Sequence, residues 1–222
     1  MKKLSQAIVL ASAMTAGLVG TQAAHAEISA SMDLATAYLW RGQSLSYGTG
    51  VVSGSLDYAN ESGLYAGVWT SSGDTTYGTE VDLYAGFAGE TNGIGYDVAV
   101  IGYVYPDSNQ AEADKYDNWT EVSLGLSYDI ASVSFAKAAD SDKSGDYLYA
   151  ALGLEFDAIG LTLGNVSGSE GTTFSTDYTH IDVSYAYNDQ ISFGLSKVID
   201  EDIEDEMDKS LKYVISYSLP IE

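Results

Sequence analysis

Apolar and polar positions alternate along most of the chain. Ile181, Val183, Tyr185 and Tyr187 interleave with Asp182, Ser184 and Ala186. Val122, Leu124, Leu126 and Tyr128 interleave with Ser123, Gly125 and Ser127, and Val81, Leu83, Ala85 and Phe87 with Asp82, Tyr84 and Gly86. Successive side chains of a strand point to opposite faces, so each stretch predicts a strand with one apolar face and one small, polar or acidic face. Twelve such segments are predicted, over 29–41, 51–59, 64–71, 79–88, 95–105, 119–128, 132–138, 146–156, 159–166, 177–187, 191–198 and 211–219.

The connections between them have a rhythm. Those at 60–63, 89–93, 129–131, 157–158 and 188–190 are short, and those at 42–50, 72–78, 106–118, 139–145, 167–176 and 199–210 are longer. Long–short alternation with an even strand count is the pattern of an up-and-down antiparallel transmembrane β-barrel with short periplasmic turns and longer extracellular loops. The aromatic residues fit two interfacial girdles. Tyr58, Phe87, Tyr128, Phe156, Tyr187 and Tyr217 fall near the periplasmic ends, and Tyr38, Trp40, Tyr105, Trp119, Tyr147, Tyr178 and Tyr213 near the extracellular ends.

The first 26 residues stand apart. Lys2 and Lys3 precede a short apolar stretch over 8–19, and Ala24-His25-Ala26 has the small-x-small form of a cleavage site. This predicts a secretory signal peptide over 1–26 and one barrel domain over 27–222, in the bacterial outer membrane. The whole chain carries 32 acids against 9 Lys+Arg, for a formal charge of −23, and has no Cys. That charge excludes nucleic acid as a partner, because phosphate binding needs a basic face. The lack of Cys excludes disulfides and thiolate metal sites. No P-loop, dinucleotide fingerprint or metal motif occurs, and no cofactor is expected.

If the apolar parity faces lipid, the other parity faces the lumen. It carries Asp33, Arg41, Asp57, Glu80, Asp82, Asp97, Glu121, Glu155 and Asp182, the candidate pore-lining residues, with Trp69, Tyr84, Tyr103 and Tyr105 beside them. Carboxylates facing lipid would be costly, so their parity supports the assignment. An acidic pore wall favours cations. Arg41 opposite the acids predicts an internal salt-bridge cluster that narrows or plugs the pore. Lys137 and Lys197 fall on the lipid-facing parity at extracellular strand ends, as candidate contacts to lipopolysaccharide phosphates, with snorkelling to water as the alternative. Asp200, Asp202, Glu204, Glu206 and Asp208 form an acidic loop, a candidate for divalent cations or simply a solvated loop. His180 shares inward parity with Asp182 and Ser184, but no nucleophile motif accompanies them, so no enzyme is expected.

The stretch Tyr38-Leu39-Trp40-Arg41-Gly42-Gln43-Ser44 resembles the opening motif of the proteobacterial Gcw_chp, or TorF-like, family. Gly63-Leu64-Tyr65-Ala66-Gly67-Val68-Trp69, Glu80-Val81-Asp82-Leu83-Tyr84-Ala85-Gly86, Tyr103-Val104-Tyr105-Pro106 and Trp119-Thr120-Glu121 continue the resemblance in order. It implies an outer-membrane barrel and carries over no residue roles. The expected function is a small diffusion channel for cationic or neutral solutes, with outer-membrane lipid and the barrel-assembly machinery as partners. The alternative is a closed structural or surface-interaction barrel with acidic loops and no conductance. A secreted soluble β-protein is the third reading.

Overall fold

The computed structural model describes residues 27–75, 77–106, 119–139, 147–168 and 176–221. The expected signal segment and the loop segments 107–118, 140–146 and 169–175 lie outside these residues. The strands are β1 (Glu27–Ala35), β2 (Leu39–Trp40), β3 (Gln43–Ser44), β4 (Val51–Ala59), β5 (Leu64–Asp74), β6 (Gly78–Thr91), β7 (Ile94–Val104), β8 (Trp119–Tyr128), β9 (Ala131–Ala138), β10 (Leu148–Phe156), β11 (Ile159–Ser167), β12 (Tyr178–Ala186), β13 (Ile191–Glu201) and β14 (Lys212–Ile221). Twelve of them close a barrel in which sequence neighbours pair antiparallel, and β1 joins β14 through pairs such as Asp33 with Ser218. The remaining two, β2 and β3, form a separate hairpin. Among the described residues there is no helix. A closed barrel leaves no unpaired edge, which is the condition for carrying a β-sheet through lipid.

The alternation decides which face goes where. Leu56, Leu83, Val98, Leu124, Leu152, Ile181 and Leu195 are exposed on the outer wall, an apolar surface of the kind that lipid covers. Their neighbours Glu80, Asp97, Ser123 and Asp182 are buried inside. The short turns carry the chemistry a tight reversal needs. Asn92 and Gly93 both have positive φ, as a two-residue Asn-Gly hairpin turn requires, and Asp129 and Asp157 supply the same geometry at two further short turns.

Three expectations change. The first predicted segment, 29–41, ends as a strand at Ala35, and the chain then leaves the wall and turns into the lumen. Ala37, Tyr38, Leu39, Trp40 and Arg41 are all buried, so both parities face protein and no lipid side exists. As a result β1 pairs directly with β4. The expected long connection at 72–78 shrinks to 75–77, because β5 and β6 run past their expected ends, with an irregular register between Ser71 and Asp74. The third change concerns the aromatic girdles. Tyr58, Phe87, Tyr128, Phe156, Tyr187 and Tyr217 are exposed near the short-turn end. At the other end Tyr213 is 71% exposed, but Tyr38, Trp40, Tyr147 and Tyr178 are buried within the barrel. Parity overrules position there: Tyr178 points the same way as His180 and Asp182.

Candidate functional site

The infolded hairpin fills the half of the lumen nearest the long loops. Tyr38 and Trp40 pack with Val51, Ala136, Ala138, Tyr147, Tyr149, Val166, Tyr178 and Val198, with Leu45, Trp69, Trp119 and Met207 around them. Tyr38 meets Trp69 at 5.8 Å, and Trp40 meets Trp119 edge to face at 5.9 Å. The hairpin closes on itself through the Leu45 amide, which donates to the Tyr38 carbonyl, and the Tyr38 amide, which donates to the Ser46 hydroxyl. The Thr75 amide and hydroxyl both donate to the Leu45 carbonyl and tie the hairpin to the β5–β6 connection. At its tip Arg41 and Gly42 have positive φ. A Cβ on Gly42 would sit 2.6 Å from the Cβ of His180, so glycine is required there for two separate reasons.

Arg41, the only arginine in the chain, enters the lumen on this tip and not on the wall as expected. Its two terminal nitrogens donate to the two oxygens of Glu121 on β8, at 2.7 and 2.8 Å. Its Nη1 also donates to the Tyr147 hydroxyl. The guanidinium carbon lies 4.4 Å from the ring centroids of both Trp40 and Tyr149. The Tyr103 hydroxyl donates to Glu121 at 3.0 Å, and the Tyr178 hydroxyl donates to the Arg41 carbonyl at 2.9 Å. A planar fork on a carboxylate, stacked on aromatic faces, is the arrangement that suits guanidinium and not ammonium. The expected ion pair inside the barrel is therefore formed between Arg41 and Glu121, on a hairpin that packs within the lumen.

The other candidates divide into two groups. Glu80, Asp82 and Asp182 are buried in the long-loop half with Arg41 and Glu121. Both carboxylate oxygens of Asp82 lack a hydrogen-bond partner among the described residues. Asp182 lies 3.1 Å from Nδ1 of the buried His180, whose Nε2 is 3.2 Å from the Tyr149 hydroxyl. The second group is held towards the short-turn end. The Tyr65 hydroxyl spans both oxygens of Asp97, at 3.0 and 2.9 Å. Asp57 accepts from the Tyr84 and Ser55 hydroxyls, and Asp33 from Ser218 and Ser31. Glu155 is exposed beside the turn and joins neither group.

Sequence reading missed how these tyrosines reach their acids. Tyr65 on β5 pairs with Gly86 on β6 and reaches Asp97 on β7. Tyr84 on β6 pairs with Gly67 on β5 and reaches Asp57 on β4. A Cβ on Gly86 would lie 2.4 Å from the Tyr65 ring, and one on Gly67 2.5 Å from the Tyr84 ring. Each tyrosine thus crosses a bare glycine to bind a carboxylate two strands away. His180 makes a related contact: it pairs with Gly164 on β11, lies over that glycine and meets the Tyr149 hydroxyl on β10. The inward glycines were the available signal, but the bridges depend on cross-strand register.

Lys137 and Lys197 are exposed on the outer face near the long-loop end, across from Leu148 and Ile181 respectively. In the acidic loop, Glu201 accepts from the Asp205 and Met207 amides and pairs with Lys209 at 2.5 Å. Asp208 accepts from the Ser210 amide and hydroxyl, which hold its carboxyl below the usual aspartate range, with Lys212 adding to the effect. The described residues hold no group of three or more His, Asp or Glu side chains placed to take a metal ion.

A closed antiparallel barrel of twelve strands with a polar inner wall and an infolded loop is a porin-like architecture. The chain belongs to the Gcw_chp family, described as bacterial proteins of unknown function, whose model matches residues 20–214. The fold is similar to that of the KdgM porin, with a TM-score of 0.50 at 7% identity over 86% of this chain and 98% of that one. It also matches the NanC porin, with a TM-score of 0.47 at 9% identity over 86% and 98% of the two chains. OccK10 (OpdN) of Pseudomonas aeruginosa matches with a TM-score of 0.45 at 13% identity, over 90% of this chain and 71% of that one. No curated protein sequence matches the chain.

Proposed function

We propose that the protein is a small outer-membrane porin with a cation-preferring lumen, exported by its N-terminal segment and closed in the described state by the hairpin at 36–50. The observation that carries this reading is the charge of the inner wall. Glu80, Asp82, Asp97, Glu121 and Asp182 are buried inside, and Arg41 is the only buried lysine or arginine among the described residues. Arg41 offsets Glu121 and leaves the other carboxylates to attract cations and repel anions. A KdgM structure is described in complex with oligogalacturonate, a polyanion that this wall would disfavour. On the outside, Lys137 and Lys197 meet lipopolysaccharide phosphates at the outer leaflet. His180 is a packing residue and not a catalytic one, since it lies under the hairpin with no path to lipid.

Planar-bilayer conductance under a salt gradient tests this. Stepwise currents with a cation-selective reversal potential are expected, and Glu80→Gln with Asp82→Asn should move that potential towards zero. The packed half of the lumen favours one rival, a closed barrel with a structural or surface role. An inserted protein that stays silent, both as wild type and with the hairpin anchor removed by Glu121→Gln, would establish that rival.

A further inference from the structure

The barrel wall holds Arg41 in a site that does not depend on the hairpin's backbone. Glu121 supplies two acceptors, Tyr147 a third, and Tyr149 an aromatic face, while Tyr103 steadies Glu121. Of the groups around the guanidinium, only Trp40 comes from the hairpin itself. The contacts are all made by the terminal fork. Nε, where the side chain is tethered, is buried with no hydrogen-bond partner. A free guanidinium would therefore find every polar contact that Arg41 finds. The hairpin's own sheet is slight, with two residues in each of β2 and β3, so its position depends on the packing of Tyr38 and Trp40 and on the Arg41 contacts rather than on its own ladder.

We propose that this wall site is a guanidinium-binding site with Arg41 as its tethered occupant, and that solutes bearing a guanidinium group are the class the lumen recognises. Such a solute competes for Glu121, frees the hairpin tip and opens the packed half. The buried carboxyl groups of Asp82 and its neighbour Glu80 favour the arrival of a cation over an anion. Lysine-like cations are discriminated against, because a point charge cannot match the two-oxygen fork or stack on Tyr149. Passage of the solute rests on the channel reading above; binding at the wall does not.

Chemical complementation separates the two. Arg41→Ala is folded in detergent and its thermal midpoint followed while methylguanidinium is added, with methylammonium at equal ionic strength as the comparison. A saturable rise with methylguanidinium alone is expected, and it should vanish in Arg41→Ala/Glu121→Gln. Equal responses to the two ions, or none, would overturn the site. Should Arg41→Ala fail to fold, Arg41→Lys takes its place, since it keeps the charge and loses the fork. In wild type the fluorescence of Trp40, Trp69 and Trp119, all packed in the hairpin cluster, gives a second readout: a change with methylguanidinium and not methylammonium supports the site, and an unchanged signal counts against it. A specific response in a barrel that never conducts keeps the site and removes the channel, whereas conduction without that response does the reverse.

Discussion

The two halves of this lumen are built from the same strands and follow opposite rules. Towards the long loops, inward positions carry Tyr103, Tyr147, Tyr149, Tyr178 and His180, and the infolded hairpin packs among them. Towards the short turns, the inward positions include Ser31, Ser55, Ser127, Ser132, Ser134, Ser192 and Ser218, all only half-buried. Eight strands make a barrel that side chains can fill, and twelve make a wider one. Serine and glycine cannot span that width, so around them the short-turn half stays accessible to water even though Tyr65 and Asp97 are buried there, whereas the tyrosine-rich half is packed with the hairpin. The barrel supplies the width and the inward residues decide whether it is used. The packing is thus a local property of the long-loop half, and the hairpin is held there by Tyr38, Trp40 and the Arg41–Glu121 pair.

The largest expected effect comes from cutting the contact that holds the hairpin. Glu121→Gln leaves the Arg41 guanidinium in a buried site without its carboxylate. Breaking a buried ion pair from one side costs about 3–5 kcal/mol. That cost can be relieved by release of the hairpin, so a long-loop half as wet as the other half is expected. Denaturant unfolding would show the lost stability, and bilayer recordings a higher open probability. In a wild type that conducts, an unchanged current with reduced stability would mean that the hairpin stays in place independently of Arg41.

A second test sets the halves against each other on one strand. Ala136 on β9 is buried in the hairpin cluster, and Ser134, two residues nearer the short turns, is half-buried and faces the same way. Ala136→Leu inserts bulk where there is none to spare, at about 1–3 kcal/mol for overpacking. Ser134→Leu extends into the accessible half, so it should barely change the unfolding midpoint and should lower the conductance of the open state. Equal stability losses would mean that the short-turn half is packed after all.

Much of this was readable in the residues, and the failures share a cause. Alternation placed every wall strand, and Glu80, Asp82, Asp97, Glu121 and Asp182 are buried inside, whereas Glu155 is exposed beside its turn. Residues 36–41 misled because Tyr38 and Trp40 alternate with Leu39 and Arg41 as a strand would. Yet Leu39, on the parity of Arg41, is as bulky and apolar as Tyr38 and Trp40 on the other, which suits a segment buried on both sides. At the long-loop end, nearness to a strand end does not place an aromatic ring in the girdle; the way its position faces does. For Tyr178 the facing was already legible from His180 and Asp182. The tyrosine bridges were not legible at all. Whether Tyr65 lies over Gly86 depends on the pairing of β5 with β6, and a strand's own pattern does not contain its neighbour's register.

The smallest expected effect compares two of those bridges. Tyr65 and Tyr84 each cross a glycine to an aspartate, but their aspartates differ in surroundings. Asp97 is buried and takes both its oxygens' contacts from Tyr65. Asp57 is half-buried and keeps the Ser55 hydroxyl at 2.7 Å when Tyr84 is lost. In each case phenylalanine preserves the ring over the glycine, so packing is held constant and only the hydroxyl is removed. Leaving Asp97 without a partner should cost about 1–3 kcal/mol, as for a buried group stripped of its hydrogen bond. At Asp57 the remaining serine and water limit the loss to about 0.5–1.5 kcal/mol, the net worth of one ordinary hydrogen bond. Denaturant midpoints of Tyr65→Phe and Tyr84→Phe measure the difference. If Tyr84→Phe proves the costlier, water does not reach Asp57, and the division between a packed and an accessible half fails at the point where it should be clearest.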